Sequence, residues 1–231
     1  CYKPSNEVAA ENVFNGAWAC DKITATVDPQ NPGKVTIKNL QDRNHGAWGA
    51  DITNLPLGEG YAYTIKYTMT RPGNYSASLF VDGFHGVYTY PFKGRIQRID
   101  GPVVGHDYVD YYFEDSLIPG LDASPEEPSV QEYAIELNGG TLVFYVKDTV
   151  GKWVKVDEAT IDFERDTLGL YFQMYYEFEV TFSDVEIYKG VSLVAAENAA
   201  LPAEKPEDGN ENNNNNTNNT NRYTNRNYID I

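Results

Sequence analysis

Helical periodicity, long apolar runs and basic residues are all scarce in this 231-residue chain, and each scarcity removes a class of protein. No segment sustains a helical period over three turns, so a helix bundle is excluded. No apolar run approaches the ~20 residues that cross a bilayer as a helix. Lysine and arginine number 18 against 34 acidic residues, for a net charge of −16. Beyond Leu201, five acids (Glu204, Glu207, Asp208, Glu211, Asp230) face three bases (Lys205, Arg222, Arg226), which leaves −14 on the body. Such a surface repels nucleic acid and anionic lipid headgroups, and suits neutral partners or divalent cations.

Cysteine is nearly absent too. Cys1 and Cys20 are the only two. Cys1 at the chain start fits a lipidated residue of a bacterial lipoprotein, a disulfide to Cys20, or a mere chain boundary. All three fit an extracellular or cell-surface protein better than a cytosolic enzyme.

What is abundant is tyrosine, 18 residues against 2 methionines. Tyrosine has high strand propensity and is a rigid contact residue. About two-fifths of the chain is apolar, enough for a sizeable core. From Val13 to about Gly190 short stretches alternate with period two. "KVTIKN" turns Val35 and Ile37 inward, and "YAYTIKYTM" sets Tyr61, Tyr63, Ile65, Tyr67 and Met69 on one face. "LGLYFQMYY" sets Leu168, Leu170, Phe172 and Met174 against Gly169, Tyr171, Gln173 and Tyr175. Turn signals such as "DPQNPGK", "RPGN" and "LNGG" separate these stretches. Roughly ten short strands at this spacing predict an all-β, two-sheet β-sandwich of the jelly-roll kind.

Three segments follow: a lead-in over 1–12, the sandwich over 13–190, and an Asn-rich flexible tail over 191–231. The middle of the sandwich, from "YTYPFKGRIQRIDG" to "ASPEEPS", reads as long loops, where binding function tends to sit. The tail ends in "RYTNRNYIDI", a stub, the start of a further domain, or a segment for self-assembly with a neighbour.

The stretch over 37–67 carries Arg43, His45 and Trp48 in a Gly-rich loop, followed by Asp51-Ile52-Thr53, a turn at "LPLGEG" and "YTIKY". "FEVTFSDVEIY" closes the domain. Over 34–70 and 176–189 this resembles carbohydrate-binding modules of the related families 4, 9, 16 and 22. One residue more than their usual spacing separates Arg43 from Trp48. The resemblance implies a jelly roll that binds polysaccharide (β-glucan, xylan or a similar plant or microbial glycan) without cleaving it. Trp48 is then the stacking platform and Arg43 a hydroxyl donor beside it. It also implies a structural calcium held by Asp184 and Asn15.

The chemistry behind such a site is simple. Pyranose rings offer apolar C–H faces to flat aromatic rings, and their hydroxyls need polar partners. Two or three platforms at ~1–2 kcal/mol each give micromolar to millimolar affinity after ordering costs. On residue type alone, Tyr171, Gln173, Tyr175, Tyr88, Tyr90, Tyr111 and Tyr112 are further candidates. Trp18 and Trp153 read as core or sheet-edge residues.

Two rival classes remain. A structural adhesin or filament subunit would use the same fold and the terminal segment. A laminarinase-like glycoside hydrolase would need three carboxylates alternating on one strand. "ATIDFERD" supplies Asp162 and Glu164, but Thr160 takes the nucleophile's place. The non-catalytic reading therefore leads.

Overall fold

The computed structural model describes residues 8–10, 13–14, 18–19, 22–42, 46–72, 75–113 and 128–202. Fifteen strands among them form two antiparallel sheets. In chain order they are β1 Val8–Ala10, β2 Trp18–Ala19, β3 Ile23–Asp28, β4 Asn31–Asn39 and β5 Gly46–Pro56. Next come β6 Gly58–Pro72, β7 Ala77–Phe80, β8 His85–Tyr90, β9 Lys93–Arg98 and β10 Tyr111–Tyr112. The last five are β11 Pro128–Gly139, β12 Thr141–Lys147, β13 Trp153–Thr160, β14 Thr167–Met174 and β15 Glu179–Lys189. A single helix, α1, spans Leu193–Ala200.

One sheet runs β13-β12-β11-β6-β15-β4-β3, with β1 paired to β15; the other runs β10-β9-β8-β7-β14-β5-β2. Their inner faces are the alternating sets read from the sequence. Val35, Ile37, Ile65, Tyr67 and Met69 of the first sheet are buried, as are Leu168, Leu170, Phe172 and Met174 of the second. The sheets approach so closely at Gly94 that a Cβ there would lie 2.7 Å from the Phe144 ring. Within this core Arg71 is almost fully buried, spread over Thr89, Gln131 and Tyr133 by hydrogen bonds of 2.7–3.0 Å.

Two expectations change. Residues 88–98, expected as part of the long loops, belong to the β8–β9 hairpin, which turns at Pro91-Phe92. The compact domain also runs to Leu201 rather than ending at 190. The reason is α1, which docks on the outer face of the first sheet. Its Glu197 accepts from Lys66 Nζ and Trp153 Nε1, both at 2.7 Å, and Asn198 bonds both main-chain groups of Trp153. Val194, Ala134 and Trp153 form a small second core beneath it. Trp153 is thus a buried residue on an edge strand, as its sequence context implied.

Candidate functional site

With α1 over the first sheet, the outer face of the second sheet is the other broad surface of the sandwich. Register aligns its side chains in rows. Gln173, Ser78, Tyr88 and Arg95 are directly opposite one another across β14, β7, β8 and β9. A second row joins Tyr90, Lys93 and Tyr112 across β8, β9 and β10. Four of the residues picked from sequence, Gln173, Tyr88, Tyr90 and Tyr112, therefore share one face with Tyr171.

The centre of that face is closed, since Ser78, Phe80 and Tyr171 are buried. Tyr171 lies over Gly169, where a Cβ would meet its ring at 2.3 Å. The Arg165 guanidinium covers the ring at 4.9 Å, and the Tyr171 hydroxyl donates to Asp51. Tyr171 is thus a packed residue with its ring already covered, which corrects its expected role as a sugar platform. Gln173 is half-buried beside it.

The open part is the β8–β10 edge. Tyr90 and Phe92 stack at 5.6 Å between centroids and 26° between planes, and Phe92 and Tyr112 at 6.2 Å and 19°. Tyr88 meets Tyr90 edge-on at 5.4 Å. Tyr112 is 69% exposed, and Tyr108 is 48% exposed. Lys93 Nζ lies 4.8 Å from the Tyr90 centroid and 5.5 Å from that of Tyr112. The Arg95 guanidinium sits between Tyr88 and Tyr108, at 4.5 and 4.4 Å. A single carboxylate, Asp110, accepts from Lys93 at 2.7 Å and Arg95 at 2.5 Å. The patch is locally cationic on a strongly acidic body.

These groups hold one another in place. Arg95 also donates to Gln97 at 3.0 Å and to the Tyr108 hydroxyl at 3.2 Å. Burial works against the Lys93 ammonium, yet the bond and field of Asp110 outweigh it and raise its pKa. Burial also pushes the Tyr88 hydroxyl well up, so it remains a neutral donor. The loop that brings in Tyr108 and Asp110 is fastened by His106, whose Nε2 lies 3.0 Å from Asp157 on β13.

Trp48 is a correction. It is 3% exposed and lies between Phe14 and Phe172, with centroids at 5.0 and 5.6 Å. No ring face is open to a sugar. The segment expected as a Gly-rich loop is the start of β5, and Trp48, Ala50 and Ile52 alternate into the core. That period of two was present in "AWGADI" and was the signal to follow.

Arg43, His45, Asn15 and Cys1 lie outside the described residues. Tyr111 alternates with Tyr112 and so leaves the outer face. Tyr175 is in the turn after β14, edge-on to Tyr176 at 5.0 Å, apart from the β8–β10 rings. Asp184 is exposed, with φ of 52° at an irregularity of β15, and accepts from Ser183 at 3.2 Å. Among the described residues no group of three or more acidic, histidine or cysteine side chains could hold a metal ion. The described part of the expected calcium site is one solvated carboxylate. Asp162 and Glu164 follow the last residue of β13 in a loop, so they do not share a strand face.

No protein-family model matches this chain, and no curated protein matches it. Among solved structures, a Bacillus subtilis protein of unknown function with a galectin-like fold is similar at TM-score 0.49 and 8% identity, over 80% of this chain and 97% of that one. Peanut lectin is similar at TM-score 0.45 and 9% identity, over 74% and 96%. Alginate lyase A1-II' reaches TM-score 0.41 and 10% identity, over 72% and 83%.

Proposed function

We propose that this domain binds a polysaccharide without cleaving it, through the aromatic edge of its second sheet. The observation that carries the reading is the Tyr90–Phe92–Tyr112 run, ending in a ring that is 69% exposed. A solvent-facing tyrosine gains little for folding, and its flat face suits the C–H side of a pyranose. Hydroxyl partners are at hand in the Tyr88 hydroxyl, Gln173 and Asp110, none of them fully buried. On this reading the ligand is of the class that the resemblance to carbohydrate-binding modules implies, with the platform at the β8–β10 edge rather than at Trp48.

Isothermal titration with soluble β-glucan and xylan tests this. Tyr112→Ala should weaken binding about tenfold, as expected for one platform worth ~1–2 kcal/mol. Equal affinity in the variant and the parent protein would refute the site.

A further inference from the structure

The charge of the β8–β10 edge is out of keeping with the rest of the molecule. The chain has 34 acidic residues against 18 lysines and arginines. Yet β9 turns two cations, Lys93 and Arg95, to the outer face, two residues apart. Among the described residues a single carboxylate, Asp110, pairs with both, at 2.7 and 2.5 Å. Asp107, in the same loop, bears on Tyr111, whose side chain leaves this face. A net positive charge is left beside the aromatic run.

Both cations also have N–H groups to spare. Lys93 donates to Asp110, with one of the three N–H groups of an ammonium. Arg95 donates from Nε to Gln97, from Nη1 to Asp110 and from Nη2 to the Tyr108 hydroxyl, and each Nη has a second N–H. The two Asp110 oxygens, by contrast, each already accept a bond. The cationic side chains are only 18% and 16% exposed, sheltered by the rings of Tyr90, Tyr112, Tyr88 and Tyr108. Away from bulk water a charge acts more strongly than on an open surface. Lys93 Nζ is also 5.5 Å from the centroid of Tyr112, the ring most open to solvent.

A neutral glycan does not require this arrangement. Its hydroxyls both donate and accept, so a mixed set of neutral groups serves them. A sugar acid uses all of it: an aromatic face for the C–H side of its ring, and cationic donors for a carboxylate that only accepts. Hydrogen bonds between charged groups are the stronger kind. The acidic body does not cancel them, because at about 0.15 M salt exposed charges beyond ~8 Å are largely screened.

We propose that this edge prefers an acidic polysaccharide, whose pyranose rings bear carboxylates as in uronic acids, over a neutral one. The inference rests on the reading of the edge as a glycan site. The ring lies on Tyr112, and its carboxylate takes the spare N–H groups of Lys93 and Arg95. Neutral glycans stack on the same ring, but more weakly.

Isothermal titration with polygalacturonate, alginate and glucuronoxylan, each beside its carboxyl-reduced form, is the test. Reduction keeps the backbone and removes the charge, so the ratio of the two affinities isolates the carboxylate. At least one acid form should bind about tenfold tighter than its reduced form, as one charge-assisted hydrogen bond implies. A protein of net charge −16 repels polyanions, so diffuse attraction cannot produce that preference. Lys93→Gln should remove most of it, and Lys93→Arg, which keeps the charge, should retain it. Lys34→Gln, which removes a cation of the first sheet, should leave the ratio unchanged. Acid and reduced forms that bind equally, with Tyr112→Ala weakening both, would overturn this inference and leave the glycan site standing. A preference that survives Lys93→Gln, or that Lys34→Gln lowers as much, would overturn it as well. Binding of neither form to the parent protein would overturn the inference and the glycan site together.

Discussion

The Tyr112 ring stacks on Phe92 at 6.2 Å and 19°, with Lys93 Nζ within 6 Å of both centroids. A ring so exposed contributes mainly to what it touches. Tyr112→Ala should therefore change folding stability by less than about 0.5 kcal/mol, as for surface substitutions. Urea unfolding followed by tryptophan fluorescence measures it.

Trp48 should behave in the opposite way. It is packed between Phe14 and Phe172, and Trp48→Ala should cost about 3–5 kcal/mol through the cavity it leaves. The same unfolding experiment should show the midpoint falling sharply. A near-silent Trp48→Ala would mean the ring is not in the core.

Gly169 makes room for Tyr171. An added methyl would sit 2.3 Å from that ring, displacing it from Asp51 and Arg165. Gly169→Ala should cost about 1–3 kcal/mol, as overpacking does, seen as a lower melting temperature.

Glu136 gives stability a pH dependence. Burial raises its pKa, and the hydrogen bond from Tyr145 at 2.9 Å offsets only part of that. A carboxyl whose folded pKa is raised binds its proton more tightly folded than unfolded. Its penalty is absent below the unfolded value of about 4.3, grows as pH rises through the folded value, and is complete above it. Glu136→Gln should therefore raise the melting temperature at neutral pH, with the gain vanishing in acid. A gain that persists below the unfolded pKa would contradict this origin.

The sandwich was legible because burial on one face imposes a period of two. Val35, Ile37, Tyr63, Ile65, Tyr67 and Met69, and the apolar set of β14, are all inside. The helix was not legible. Only Leu193 and Val194 of α1 are buried, and it is held by Glu197 and Asn198 reaching Trp153, contacts that local periodicity does not encode. The candidate site was half legible. Tyr88, Tyr90 and Tyr112 could be named by residue type. Phe92, Lys93, Arg95 and Tyr108 join them only once the β8–β9 register is known. Trp48 was misplaced because its flanking glycines read as a loop, although Ala50 and Ile52 continued its alternation.

Affinity electrophoresis through gels containing soluble β-glucans, xylan, mannans or starch tests the central claim most directly. The chain should be run beside Tyr112→Ala and Trp48→Phe, the latter a core change that keeps an aromatic ring. Retardation of the parent and Trp48→Phe on at least one glycan, lost in Tyr112→Ala, is the predicted result. Free migration of the parent protein on every gel, or retardation that survives Tyr112→Ala, would contradict it.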